Sequence, residues 1–540
     1  MIHTPMIARK SFVVASAEFI SSFIGWIGLV VLARLWGGFA PEAMGVIGFA
    51  MSFLGLFTII GQLGFHTAHI KRISEGKDLG TCIGTYITIK LFLTTLMIAA
   101  IIGTIVVMKI AFNKEFYDAT TEPVIIVFLI YYIITNLRDI PQITFNGTKE
   151  IAKLEFLSLS ENFVKIPLMI LVALAGVTIF NKNIAPVGSW PGILKPAQTF
   201  LAAHAYGALA MTYTLGALAG LLLGIWFMRK YPLKKPNLDY IKNYSRYALP
   251  ITMVSGFRAI SMNIDKVMIG YFWTATEVGY YFTIQQILMV ILILSQAVTT
   301  VLFPTVSQYH AEKNFDKIRD TTALTERHIS LVIIPMITVL IVFAGPVINL
   351  MLPAYLPAKP VLIILLLYTF VSSLTMPYTS LINGINKPDI SAIIGVLTCI
   401  SAISLNLLFI PASGLLSPFK IYGATGAACA AFASSFIGFV GYRLAARKLI
   451  GMKIWQTHTP RHLIAGICTG IIMYSLGVFL QEIHWYTFIL LAFITLGIYL
   501  GILYLIREFT KDDLHFYLDL IHPKKVLMQV REELKKQKPE

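Results

Sequence analysis

Apolar residues in this chain come in long unbroken runs, not in the alternation of a strand or the one-sided stripe of a soluble helix. Runs of about 20 residues or more fall at 11–36, 42–69, 80–108, 122–146, 154–180, 201–228, 246–272, 278–305, 326–352, 359–383, 389–411, 422–444, 461–481 and 485–506. At helical rise, such a run spans the hydrocarbon of a bilayer. The connections between runs are short and rich in Gly, Pro or charge, and none holds a soluble domain. The pattern predicts an all-α polytopic membrane protein with about fourteen transmembrane helices. The basic stretch Met1 to Lys10 precedes a run longer than a secretory-signal core and without a small-residue cleavage site. The first run is therefore expected to be retained as a span.

Charge orients these spans. Of 43 Lys and Arg, 31 fall in the N-terminus, the even-numbered loops and the tail, against 6 in the odd-numbered loops. Positive loops resist translocation, so both termini are expected in the cytoplasm of a cell whose plasma or inner membrane holds the protein. The same distribution accounts for the net charge of +16, and no nucleic-acid partner is expected. The sequons at Asn146 and Asn243 then face the cytoplasm. The basic tail, 507–540, mixes apolar and charged residues and would suit an anionic inner leaflet or a disordered extension. The four cysteines are not spaced as a metal or redox pair, and no Gly-rich nucleotide loop is present. No metal, ATP site or other cofactor is expected, and His66 with His69 makes only a weak metal pair.

The chain repeats itself. Pro123 and Pro360, Tyr131 and Tyr368, Asn146 and Asn383, and Gly147 and Gly384 are each 237 residues apart. Glu42-Ala-Met-Gly45 is echoed by Glu277-Val-Gly279. Offsets covering six spans predict two six-helix lobes in parallel repeat, with a substrate between them. The expected units are an N-lobe at 1–230 (spans 1–6), a C-lobe at 245–446 (spans 7–12), two further spans at 461–506, and the tail.

Ionisable groups inside spans are costly and usually face a partner or a wet cavity. The cations are Arg34, Lys90, Arg138, Lys165, Arg258 and Lys266; the acids are Glu18, Asp139, Glu161 and Asp265. Lys90 and Arg258 lie near the midplane, lining a cavity or forming structural ion pairs. Arg138 and Asp139 have uncharged equivalents, Thr375 and Met376. They contact substrate, neutralise each other or cap a kink at Pro141. Glu161 and Lys165 have the spacing and order of a helical ion pair. Arg34 is close enough to a helix end to snorkel. Asp265 and Lys266 are expected on different faces, with Asp265 pairing with Arg258 or holding a coupling cation.

Ala33-Arg34-Leu35-Trp36-Gly37, Glu42 to Gly45, Gly61-Gln-Leu-Gly64 and Lys71 to Glu75 resemble the opening of polysaccharide-biosynthesis flippases. Leu249-Pro250, Asp265 to Phe272, Glu277 to Tyr281 and Leu302 to Ser307 resemble the start of their second half. The family is the oligosaccharidyl-lipid/polysaccharide branch of the multidrug/oligosaccharidyl-lipid/polysaccharide exporter superfamily, and the resemblance covers roughly residues 10–445. It implies a V-shaped fold, alternating access and a polyprenyl or dolichyl (pyro)phosphate-linked oligosaccharide as substrate. Lys90, Arg138, Arg258, Lys165, Lys266 and Arg34 would hold the phosphate. Asp265, Asp139, Glu161 and Glu18 would pair ions or couple a sodium ion or proton. The bilayer and a glycan polymerase or glycosyltransferase complex are the implied partners. Lipid II flippases of this kind place several arginines in their first two spans. Here only peripheral Arg34 is present, which favours a surface glycan or glycoprotein-glycan precursor. The alternatives are a lipid II flippase and a cation-coupled multidrug antiporter of the same superfamily. An enzyme such as a glycosyltransferase is disfavoured by the short loops.

Overall fold

The computed structural model describes residues 4–111, 120–180, 195–454, 456–477, 484–510 and 513. The side chains of Glu18 and Arg258, and the tail from 514 on, lie outside the described residues. Among those described, every regular element is helical. The first lobe contains α1 (Thr4–Trp36), α2 (Ala40–Gly55), α3 (Thr58–Gln62), α4 (Phe65–Ser74), α5 (Leu79–Ala111), α6 (Thr121–Gly147), α7 (Ile151–Phe180), α8 (Lys195–Ala203) and α9 (Ala205–Met228). The second contains α10 (Leu238–Phe272), α11 (Ala275–Ala311), α12 (Phe315–Val342), α13 (Ala344–Met351), α14 (Lys359–Gly384), α15 (Pro388–Phe409) and α16 (Gly423–Ile450). Then come α17 (His458–Gly477) and α18 (Trp485–Leu505).

By length and composition, eleven stretches among the described residues can cross a membrane. One of them, Phe19–Gly55, runs through both α1 and α2. The difference from fourteen lies there and in α10 and α17. The first carries Arg258, Asp265 and Lys266 in its apolar stretch; the second opens with His458, Arg461 and His462.

The repeat is visible in the backbone. Thr4 and Leu238 open α1 and α10, 234 residues apart; Leu79 and Phe315 open α5 and α12, 236 apart. Two helix ends recur at an offset of 237. Lys149 (φ 63°) and Asn386 (φ 60°) are left-handed at the ends of α6 and α14. Gly76 (φ 74°) and Lys313 (φ 56°) do the same after α4 and α11. In all four, the next amide donates to the carbonyl five residues back: Glu150 to Phe145 at 2.8 Å, Lys387 to Ile382 at 3.1 Å, Lys77 to Arg72 at 3.3 Å and Asn314 to Tyr309 at 2.9 Å. This closes carbonyls that a helix end leaves unpaired.

The acidic echo has a structural role. Glu42, in the first turn of α2, accepts from the Tyr206 hydroxyl at the start of α9 (2.8 Å). Glu277, in the first turn of α11, accepts from the Ala424 amide at the start of α16 (2.9 Å). Each lobe thus ties its second helix to the N-terminus of its last, where an anion is favoured.

The lobes meet along α2, α10 and α11, where small residues permit close approach. A Cβ on Gly45 would lie 1.6 Å from the Ala275 carbonyl oxygen, and one on Gly279 would lie 1.8 Å from that of Pro41. We term this the neutral face, because its loops carry few cations. At the opposite, basic face, His69 Nδ1 is 2.9 Å from the Tyr244 hydroxyl. Arg72 donates to the Asn243 carbonyl at 3.2 Å. The segment between the lobes lies over α5: the Lys234 amide donates to the Gly80 carbonyl at 3.2 Å, and the Lys234 ammonium to Asp78 at 2.7 Å. The lobes are therefore joined at both faces.

The expected second span, 42–69, is not one helix. It breaks after Gly55 and again at Leu63 and Gly64, both left-handed (φ 37° and 70°). Beyond the repeat, α17 and α18 pack on α12, and the first tail residues bind its basic-face end. Arg327 donates to Glu508 (3.2 Å) and to both oxygens of Asp513 (2.9 and 2.8 Å), and Arg461 donates to Glu508 at 2.7 Å. Burial pushes the Glu508 carboxyl up, but hydrogen bonds from Arg461, His458 and Arg327 outweigh it and leave its pKa below the usual value.

Candidate functional site

The break in the second span leaves backbone carbonyls without helical partners, and Lys90 of α5 supplies a donor. Its ammonium, 0% exposed, donates to the Gly61 carbonyl (2.9 Å), Asn136 Oδ1 (2.8 Å) and Asp139 Oδ2 (2.9 Å). A cation at the C-terminal end of α3 is favoured by the helix dipole. His66 Nε2 completes the cluster, 3.2 Å from Asp139 and 3.3 Å from Lys90. All three ammonium protons have acceptors. In this closed arrangement Lys90 holds the break and neutralises Asp139.

Asp139 and Arg138 do not neutralise each other, because neighbours on a helix point apart. Arg138 pairs with Glu161 of α7. The pair sits on a glycine stripe of α9. A Cβ on Gly220 would meet Arg138 Cδ at 3.1 Å, and one on Gly216 the Glu161 carbonyl oxygen at 2.7 Å. The expected ion pair between Glu161 and Lys165 is therefore replaced, because the arginine takes the carboxylate. Among the described residues Lys165 has no hydrogen bond or ion pair. Its ammonium stands 5.1 Å over the Tyr213 ring, a cation–π contact.

Lys165 lines a cavity of about 280 Å³. Its walls come from α1 (Ser21, Trp26), α6 (Tyr131), α7 (Glu161, Asn162) and, across the lobe boundary, Gln286 and Met289 of α11. The lining is mixed: one cation, one carboxylate already held by Arg138, hydroxyl and amide groups, and methionines. A lysine beside a hydroxyl-lined apolar wall suits an amphiphilic anion. Lys90, Arg138, Lys266 and Arg34 are not among the residues lining it.

In the C-lobe, Lys266 donates to Asp265 (2.9 Å), Gln285 Oε1 (3.0 Å) and the Met262 carbonyl (2.7 Å). Asp265 and Lys266 were expected on different faces. The long lysine side chain instead folds back one turn and reaches its neighbour, so Asp265 has Lys266 as its cation. Arg34 donates to the Leu350 carbonyl at the end of α13, linking the lobes at the neutral face. The roles expected of Glu18 and Arg258 fall on side chains outside the described residues.

Sequence reasoning weighed His66 only as a weak metal partner of His69, whereas it closes the Lys90 cluster. It missed Asn136, which closes the same cluster, and Gln286, which brings the C-lobe to the cavity. Uncharged polar residues gave no signal among many, and the Gly61 carbonyl has none in sequence. It also missed a buried pair, Glu326 with Arg443 (2.5 Å), because both sit near span ends.

This architecture is that of the multidrug/oligosaccharidyl-lipid/polysaccharide exporter superfamily, and the chain is a multi-pass membrane transporter rather than an enzyme. It belongs to the polysaccharide biosynthesis protein family, whose model matches residues 7–310; a MatE model matches residues 250–408. A probable low-salt glycan biosynthesis flippase, Agl15, of Haloferax volcanii is 23% identical over 434 residues, covering 79% of this chain and 81% of that protein. In fold, the chain is similar to the lipid II flippase MurJ in an inward closed conformation: TM-score 0.69, 15% identity, 94% of this chain and 100% of that one. It is also similar to an inward-facing multidrug resistance MATE family transporter: TM-score 0.60, 13% identity, 78% of this chain and 94% of that one.

Proposed function

We propose that this protein moves a polyprenyl or dolichyl (pyro)phosphate-linked oligosaccharide from the cytoplasmic to the outer leaflet of the cell membrane. It does so by alternating access, for assembly of surface polysaccharide or glycoprotein. Lys165 is the observation that carries the reading: an ammonium left without a carboxylate, at a cavity walled by both lobes. A phosphate entering hydrocarbon unpaired meets a prohibitive desolvation cost, which a waiting cation offsets. The family and the name of the Haloferax relative support a glycan-lipid substrate. The excess of positive charge in alternate loops supports cytoplasmic termini. An inside-negative potential then favours outward movement of an anion by ~2.3 kcal/mol per charge per 100 mV.

Lys90, Arg138, Lys266 and Arg34 would engage phosphate only if the open states release them from the partners described above; Arg258 is a further candidate for the phosphate. Glu161, Asp139 and Asp265 are all held by cations, Glu161 by Arg138 and the other two by lysines. A coupled sodium ion or proton entering the Lys165 cavity would meet Glu161 once Arg138 moves away. A glycan polymerase or glycosyltransferase complex would receive the product.

The test is the sidedness of lipid-linked glycan in cells lacking the protein, probed with an impermeant lectin on intact and inverted vesicles. Glycan is expected to accumulate on the cytoplasmic leaflet and to be cleared by the wild type but not by Lys165→Ala. Unchanged sidedness, with no redundant flippase present, overturns the reading and directs attention to cation-driven drug export.

A further inference from the structure

The C-lobe contains a second cavity, of about 240 Å³, between α10, α11, α14, α15 and α16. Its carboxylate, Asp265, is already matched by the Lys266 ammonium at 2.9 Å. Around this pair the wall is made of neutral donors and acceptors, including Gln285, Thr369, Asn406 and Ser434, and of the Tyr281 and Tyr368 rings. Asn406 is 3% exposed, and its Oδ1 has no hydrogen-bond partner. A buried carbonyl left without a donor is unfavourable, so the side chain is set for a donor from an occupant.

We infer that this cavity is a subsite for a neutral polyhydroxylated group, the sugar next to the phosphate of the transported lipid. The inference deepens the flippase reading and rests on it. Size and charge both favour a sugar over an ion. A single water needs only about 10–15 Å³ of such space, and an ion is of similar size. A metal ion reaching Asp265 would also come close to the Lys266 ammonium and be repelled. A sugar needs what the wall offers: amide and hydroxyl groups for its hydroxyls, and flat tyrosine faces for its C–H surface. Met289 lines this cavity and the Lys165 cavity alike. One flexible side chain therefore stands between the phosphate position and the sugar position, and methionine readily repacks.

The experiment uses the full chain in proteoliposomes with two fluorescent lipids: a polyprenyl phosphate, and the same lipid carrying one hexose. Dithionite quenching reports the leaflet. Asn406→Leu is expected to slow the hexosyl lipid at least tenfold and to leave the sugarless lipid within twofold of wild type, which also shows that the variant is folded. Asn406→Asp, which keeps an acceptor, is expected to hold the hexosyl rate within threefold. Equal slowing of both lipids by Asn406→Leu overturns the subsite in favour of a structural role. A new sodium stimulation in Asn406→Asp overturns it in favour of a cation site. If the wild type moves neither lipid, the flippase reading itself fails.

Discussion

Lys90 and Glu326 occupy the same place in the two lobes, eleven residues beyond the first residue of α5 and of α12. Both are 0% exposed, yet they carry opposite charge and do different work. Lys90 draws together a broken span, Asn136 and Asp139. Glu326 accepts from Arg443 of α16, Tyr378 of α14 and Thr459 of α17, each at 2.5 Å. Its partner on α17 fastens the helices outside the repeat to the C-lobe. A buried charge at this position is thus a construction element whose sign follows the partner it must hold. What distinguishes the lobes is the remainder. The N-lobe keeps Lys165 without a counter-charge, whereas the described charges of the C-lobe interior are matched.

The sharpest way to break this comparison is Lys90→Met. Removing one partner of a buried pair costs about 3–5 kcal/mol, because Asp139 and the Gly61 carbonyl are left without their donor. A large drop in the thermal unfolding midpoint in detergent is expected, with partial recovery in Lys90→Met combined with Asp139→Asn. A variant that keeps its unfolding temperature but loses transport would make Lys90 a substrate group and dissolve the parallel with Glu326.

A smaller effect concerns the neutral face, where the two halves of the repeat touch each other. Gly45→Leu places a side chain where the Ala275 carbonyl already lies, so α2 and α11 must separate. Transport is expected to fall about tenfold, the equivalent of ~1.4 kcal/mol, because the closed state is disfavoured. Met289→Cys, in a background without the four native cysteines, should label several times faster with an impermeant thiol reagent from the neutral face once Gly45→Leu is added. Unaltered labelling would mean that this crossing does not close the cavity.

Much of this was legible in the chain. Run length gives the helices, and the 237-residue offset gives two lobes, because Pro, Tyr, Asn and Gly recur at matched positions of α6 and α14. The span charges were also found, since an ionisable group in an apolar run is conspicuous. Their pairing was not. Arg138 chooses Glu161 over adjacent Asp139 because helix geometry sends neighbours apart. Lys266 reaches Asp265 because its side chain is long enough to fold back. Neither choice is set by spacing alone. The break at Leu63 was hidden because a leucine there looks like any other apolar residue of a span, and its left-handed backbone is held by the packing around Lys90.

The mildest test asks whether the acidic echo is structural in both lobes alike. Tyr206→Phe removes one hydrogen bond from Glu42 and should cost about 0.5–1.5 kcal/mol. Glu277→Ala removes the acceptor at the start of α16 and should cost about 0.5–2 kcal/mol, as loss of a helix cap does. Both are read as shifts in the unfolding midpoint with transport per folded molecule unchanged. Equal small losses would mean that the echo survives in the chain because each lobe must fasten its second helix to its last. A transport defect confined to Glu277→Ala would instead place the C-lobe acid at the opening of the neutral face, and the two lobes would differ there as they do at Lys90 and Glu326.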